Sequence, residues 1–298
     1  MGGRSWPPDN RDASVRRWLT SALADSEEPM LSDAREQRAI SERLMAAIDD
    51  RSRLVLDAVD RRYDEGELTK LGAMLDRVLT GEPVQRVVGW TEFRGLRIGC
   101  AGEVLIPRPE TEEVVGWFLE AMEKRAAQGR PVRVLDLGTG SGCMALAIRA
   151  ERPDWEVHGL DVSPAALSQA KANADHLGLT VQWHEADGLD PSAILQCGPF
   201  DGIISNPPYI EASEKLDAHV VNHEPGLALF VPDGEPLRFY VALREWAVQR
   251  LTPGGCMVAE CHRDHVGEVV DCWQLEGARV DRLSDLQGAE RAVRLVRD

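Results

Sequence analysis

A short apolar run that stops on glycines and turns straight into a helix constrains this chain more than any other feature. Val132 to Leu137 reads as a strand, Gly138-Thr139-Gly140-Ser141-Gly142 follows at once, and Met144 to Arg149 continues as a helix. A strand that feeds a helix through so tight a turn is the first half of a parallel crossover unit. The rhythm then repeats. Trp155 to Leu160 and Val181 to Glu185 read as the second and third strands, with a helix from Pro164 to about Leu177 between them. Phe200 to Ser205 is a fourth strand, and Cys256 to Glu260 a fifth after the helix Leu237 to Leu251. Ala278 to Leu283 and Ala292 to Val296 lie close enough to pair antiparallel. The expected fold is α/β, a Rossmann-like and mostly parallel sheet with an antiparallel C-terminal hairpin.

Upstream the period changes. Leu31, Ala34, Ile40, Leu44 and Ile48 recur at helical spacing, with Ser32 or Asp33 available as a cap. Leu54, Leu56 and Val59, then Leu68, Leu71, Met74, Leu75 and Val78, continue it until Gly81-Glu82-Pro83. Between 84 and 106, β-branched runs separated by glycines predict a β-hairpin. The expected organisation is a small helical domain over 1–83, a hairpin linker over 84–106, and the α/β domain over 107–298.

Charge and cysteine usage narrow the class of function. Lys and Arg number 34 against 50 Asp and Glu, a net charge of -16, which repels phosphate backbones and argues against non-specific nucleic-acid binding. Six cysteines without a CxxC pair fit reduced thiols. The N-terminus is polar and no run approaches the ~18 apolar residues that cross a bilayer, so a soluble, cytoplasmic protein is expected.

The glycine loop lets the backbone turn sharply and approach a ligand at the positive end of the next helix. It is not the dinucleotide GxGxxG pattern, because Cys143 stands where the third glycine belongs. Asp136, just before the loop, suits a ligand with a cationic amino group. Asp161 ends the second strand, where a carboxylate accepts from ribose hydroxyls, and Asp187-Gly188 ends the third, where an adenine amino group can be met. The loop, Asp161, Asp187 and Gly188 together point to S-adenosylmethionine.

The fourth strand runs into Asn206-Pro207-Pro208-Tyr209. An amide or aryl-amine nitrogen is a weak nucleophile because its lone pair is delocalised, so a site that uses one must hold both N–H groups. Asn206 offers a side-chain oxygen and Pro207 a carbonyl. The prolines stiffen the loop, and Tyr209 offers a flat face for a planar group. The pattern specifies a planar nitrogen, and adenine, guanine and glutamine all qualify. No metal is needed. His219, His223 and Glu224, or His262 and His265, have ligand-like spacing, but solvated surface histidines are the simpler reading.

Taken together, the tetrapeptide and glycine loop resemble the class I methyltransferases. Gly89-x-x-Glu92-Phe93-x-Gly95-Leu96, Val104-Leu105-Ile106-Pro107-Arg108-Pro109-Glu110-Thr111-Glu112, Glu224-Pro225-x-x-Ala228-Leu229, Asp233-Gly234 and Gly288-Ala289-Glu290-Arg291 narrow the match. These stretches resemble the bacterial peptide chain release factor glutamine methyltransferases, and the Arg-Pro-Glu-Thr-Glu run separates them from ribosomal-protein glutamine methyltransferases. The resemblance implies transfer to the glutamine of a Gly-Gly-Gln loop on class 1 release factors, with the helical domain and hairpin helping to dock that partner. It implies that Asn206 to Tyr209 hold the glutamine and that Gly138 to Gly142, Asp161, Gly188 and Asn206 line the cofactor site. Arg108 and Glu224 are candidate substrate contacts, with an ion pair as the alternative for Arg108. The rival readings are a nucleic-acid amine methyltransferase, a ribosomal-protein glutamine methyltransferase, and a binding module in which the methyltransferase fold has lost catalysis.

Overall fold

The computed structural model describes residues 6–26, 28, 31–48, 61–126 and 129–298. Two units divide the chain, Met1–Gly89 and Trp90–Asp298. In the first, α1 (Asp12–Ala24), α2 (Ala34–Ile48), α3 (Glu65–Leu79) and α4 (Val84–Val88) bury Leu19, Leu23, Ile40, Leu44, Leu71 and Leu75 in one core. Of the two expected caps Asp33 serves, its Oδ1 accepting from the Arg35 N–H at 2.8 Å. Asp64 and Glu67 close a capping box at the start of α3. Leu54, Leu56 and Val59 lie outside the described residues.

Val84 to Val88 form the short helix α4, where valine content predicts a strand. Pro83 before it and Gly89 after it, at φ 86, punctuate a helix as well as they do a hairpin. The hairpin itself is shorter than expected, β1 (Trp90–Phe93) and β2 (Leu96–Gly99). Arg94 at φ 46 and Gly95 at φ 76 make its two-residue turn.

The second unit continues with α5 (Pro109–Ala126), β3 (Arg133–Leu137), α6 (Cys143–Glu151), β4 (Glu156–Asp161), α7 (Pro164–Leu177), β5 (Gln182–Glu185) and β6 (Phe200–Ser205). After these come β7 (Ile210–Glu211), α8 (Ala218–His223), β8 (Phe230–Val231), α9 (Arg238–Arg250), β9 (Leu251–Glu260), α10 (Val266–Cys272), β10 (Ala278–Ser284) and β11 (Glu290–Arg297). Seven strands form one sheet in the order β10-β11-β9-β6-β3-β4-β5. Strands β3, β4, β5, β6 and β9 are parallel, and β11 and β10 are antiparallel, as the sequence rhythm predicts. β9 starts earlier than Cys256, with an irregularity in its pairing opposite Phe200 and Gly202. The β7–β8 pair has no strand-like sequence signal and is only two residues long.

Both sheet faces are covered, which is why the strands read as continuous apolar runs. Val134, Ile204 and Val258 share one core with Val114, Val115 and Phe118 of α5. Leu135, Ile203 and Met257, the neighbours on the opposite face, share another with Tyr240, Leu243 and Trp246 of α9 and with Trp273. Burying each such large side chain contributes about 1.5–3 kcal/mol relative to exposure. Gly202 is required beneath α5, since a Cβ there would stand 2.5 Å from Phe118 Cζ. Among the described residues no helix is long and apolar enough to cross a membrane.

Candidate active site

The strand register assembles the site. Leu137 of β3 pairs with Ser205 of β6, and Ser205 pairs with Ala259 of β9. One residue further on, Gly138, Asn206 and Glu260 therefore emerge side by side at the carboxyl edge of the sheet, the ligand edge of doubly wound folds. On the far side of β3, Leu160 of β4 accepts from the Gly138 and Thr139 N–H groups at 2.8 and 2.9 Å, bringing Asp161 beside the glycine loop.

A cavity of about 490 Å³ opens at this edge, lined by Arg108, Thr111, Gly138, Thr139, Gly140, Ser141, Asp161, Asp187, Gly188, Asn206, Pro207 and Pro208 among others. Gly138 and Gly140 have φ of 75 and 55, and a Cβ at either would meet nothing within 4 Å, so bare backbone is presented there. Asp161 Oδ2 accepts from the Gly140 N–H at 2.8 Å and Oδ1 from the Ser163 N–H at 2.9 Å. Burial pushes its carboxyl above the ordinary range, against the pull of those N–H groups. Each oxygen keeps a further lone pair for a hydroxyl. Trp246 Nε1 donates to the Gly188 carbonyl at 2.8 Å and anchors the loop after β5.

Four sequence-predicted residues do not line the cavity. Asp136 is 0 % exposed and its Oδ2 accepts from Thr139 Oγ1 at 2.6 Å and the Ala145 N–H at 3.1 Å. Among the described residues its Oδ1 has no hydrogen-bond partner, and burial pushes its carboxyl up to about 7. Gly142 is needed for packing: its φ is 79 and a Cβ would stand 2.9 Å from Trp183 Cη2. Tyr209 packs its ring against His262, centroids 5.8 Å apart, and burial pushes its phenol up to about 12. Glu224 pairs with Arg108 and accepts from the Ile106 N–H at 3.0 Å, so the ion-pair role expected for Arg108 is realised while Arg108 still faces the cavity.

Asn206 is half-buried, and its Nδ2 donates to Thr111 Oγ1 at 3.1 Å. Thr111, buried in the first turn of α5, donates in turn to Glu260 Oε2 at 2.7 Å. Burial pushes the Glu260 carboxyl up to about 7, helped by Glu110 and opposed by Thr111, Arg291 and Arg108. The Asn206 Oδ1 carries no hydrogen bond among the described residues. Sequence reasoning missed Thr111 and Glu260 as site residues. Glu260 ends a strand at the same edge as Asp161 and Asp187, and that placement was the available signal.

The sequence has relatives along most of its length. A release factor glutamine methyltransferase of Bacillus subtilis is 33% identical over 285 residues, covering 93% of this chain and 94% of its own. One from Bacteroides thetaiotaomicron is 36% identical over 225 residues, 74% of this chain and 78% of its own. The chain belongs to the release factor glutamine methyltransferase family. Like that family it is an enzyme whose methyl donor is S-adenosylmethionine. The Methyltransferase small domain family matches residues 115–223, which run from α5 through the glycine loop and Asn206 to α8. In fold the chain is similar to a methyltransferase from Pyrococcus furiosus, with a TM-score of 0.50, 19% identity, and 76% of this chain and 98% of that one covered. The residues present fit the donor of this family: bare backbone at Gly138 and Gly140 and the Asp161 carboxylate all meet at one cavity.

Among the described residues one His and Cys group is close enough to share an ion, His158, His184 and Cys197. None of the three lines the cavity. The side chain of His219 lies outside the described residues.

Proposed function

We propose that this chain methylates the side-chain amide nitrogen of the glutamine in the Gly-Gly-Gln loop of class 1 peptide chain release factors. The observation that carries this reading is the Asn206 amide at the cavity wall, with its nitrogen engaged by Thr111 and its oxygen unpaired. Family membership supports the choice of glutamine among planar nitrogens.

S-adenosylmethionine supplies an electrophilic methyl group on a sulfonium. Gly138 to Ser141 would hold that donor through backbone, Asp161 would accept from its ribose hydroxyls, and Asp187 and Gly188 would meet its adenine. Asn206 Oδ1 and the Pro207 carbonyl would accept the two N–H groups of the glutamine amide and so fix its plane, leaving the lone pair, which stands perpendicular to that plane, facing the donor methyl. Positioning is the main contribution, since holding reacting atoms in contact removes most of the entropic barrier. Pro208 and Arg108 complete the substrate side of the wall, and Tyr209, packed against His262, anchors the end of the tetrapeptide. As the N–CH3 bond forms the S–CH3 bond breaks and S-adenosylhomocysteine leaves, and the nitrogen, made strongly acidic by the transfer, gives one proton to water, so the residues need supply neither a strong base nor a metal. The N-terminal helical unit offers the release factor a docking surface.

The test is methyl transfer from labelled S-adenosylmethionine to a purified class 1 release factor, beside its loop Gln→Ala variant and a panel of DNA and rRNA. Label on the wild-type factor alone establishes substrate and position. Label on nucleic acid would instead favour an adenine or guanine amine as the acceptor.

A further inference from the structure

We propose that Thr111 and Glu260 are positioning residues that decide which way round the Asn206 amide sits, so that its oxygen and not its nitrogen meets the substrate. The two ends of a carboxamide have nearly the same size, so packing alone selects neither. A hydroxyl has a single proton. The proton of Thr111 is committed to Glu260 Oε2 at 2.7 Å, which leaves only lone pairs toward Asn206. Only the NH2 end of the amide satisfies those lone pairs, and it does so at 3.1 Å. Thr111 and Glu260 are 3 % and 7 % exposed, so water is poorly placed to take over either role.

The backbone fixes both residues independently of the amide. The Ser205–Ala259 and Ala292–Glu260 register holds Glu260 between β6 and β11. Tyr240 donates its hydroxyl to the Glu260 carbonyl at 3.0 Å. Thr111 is held in the first turn of α5, its N–H reaching the Arg108 carbonyl at 3.2 Å.

The direction of the relay depends on the charge of Glu260. An ionised carboxylate accepts from Thr111. A protonated one can donate to Thr111, whose hydroxyl then donates to Asn206 and draws the amide oxygen inward. The groups that set this charge are Glu110 and Arg108 at the start of α5, Arg291 on β11 and the Thr111 hydroxyl, while Tyr209, Tyr240 and Cys261, which also face Glu260, are held neutral by burial.

This inference rests on the reading that Asn206 Oδ1 accepts from the substrate amide. The experiment compares Thr111→Val, Thr111→Ser, Glu260→Gln, Asn206→Ala and the double variant Thr111→Val/Asn206→Ala in the full chain. Steady-state methylation of a class 1 release factor is read against pH, and S-adenosylmethionine affinity by calorimetry. Thr111→Val should lower kcat about 100-fold, the scale on which a misplaced catalytic group costs rate, with cofactor affinity unchanged. Thr111→Ser should recover most of that loss. The isosteric Glu260→Gln should lower kcat and abolish the acid limb of the pH profile, and Thr111→Val should cost nothing further on the Asn206→Ala background. A Thr111→Val enzyme of wild-type kcat, an additive double variant, or a Glu260→Gln enzyme that keeps the acid limb would each overturn the positioning role. Wild-type kcat in Asn206→Ala itself would reject the underlying reading of Asn206, whereas an inactive Asn206→Ala beside an active Thr111→Val rejects the relay alone.

Discussion

Ser205 donates its hydroxyl to the Leu137 carbonyl at 2.7 Å, tying the residue before Asn206 to the residue before Gly138. This bond joins the two halves of the site in addition to the β3–β6 pairing, and Ser205 is 0 % exposed. Ser205→Ala leaves a buried carbonyl acceptor short of a partner, which costs about 1–3 kcal/mol. A lower Tm with a several-fold loss of kcat is expected. An unchanged melting curve would mean that the strand pairing alone holds the two loops together.

Asn206 and Asp161 divide the labour of the site. Asn206→Ala should reduce kcat by roughly 10²–10³-fold, as loss of a preorganised polar group does elsewhere, while leaving cofactor affinity near wild type. Asp161→Ala should weaken the cofactor by about tenfold or more, the equivalent of ~1.4 kcal/mol for one lost charged contact. Calorimetry with S-adenosylmethionine and single-turnover kinetics separate the two. Equal loss of cofactor affinity in both variants would contradict this division.

Gly142 acts through packing against Trp183. Gly142→Ala forces a left-handed residue to carry a Cβ that stands 2.9 Å from Trp183 Cη2. A loss of about 1–3 kcal/mol in stability is expected from the overpacking, with weaker cofactor binding because the loop must shift. Trp183→Leu should restore part of the affinity of Gly142→Ala. An equally impaired double variant would place the defect in the backbone strain and not in the clash.

Asp136 should make stability depend on pH. Burial raises its folded pKa to about 7 from an ordinary 3.8. A carboxyl raised on folding stabilises the fold most when protonated in both states, below about pH 4, and that contribution fades as pH rises through about 7. The cofactor-free protein should therefore lose Tm between about pH 4 and pH 7, and Glu260 adds in the same direction. Asp136→Asn should flatten the slope by a few degrees across that window. Scanning calorimetry at matched ionic strength measures it, and an unchanged slope would assign the effect elsewhere.

The parts of the site that were legible in the sequence are those that depend on neighbours in the chain. Gly138 and Gly140 announce a turn because only glycine adopts their φ without strain, and Asn206-Pro207-Pro208 follows an apolar strand directly. The relay from Thr111 to Glu260 was not legible, because it joins residues 149 positions apart and exists only once β9 lies beside β6. Residue type also misleads about depth. Asp136 looks like a ligand group, but a place inside β3 opposite Ile204 and Gly159 buries it beneath the loop that follows it in sequence. Val84 to Val88 mislead for a related reason: β-branched residues favour strands, yet burial of Val84 and Val87 in a helical core overrides that preference.

The sheet order sets when in its synthesis this enzyme can begin to work. β9 is threaded between β6 and β11, and Glu260 is its last residue. A nascent chain that has emerged only as far as α9 already owns the glycine loop, Asp161 and Asn206. It has no carboxylate to orient the amide, and one long edge of its sheet is open. Such a chain should capture the cofactor before it can transfer a methyl group, so competence arrives with the final strands and not with the parts that the sequence displays most plainly.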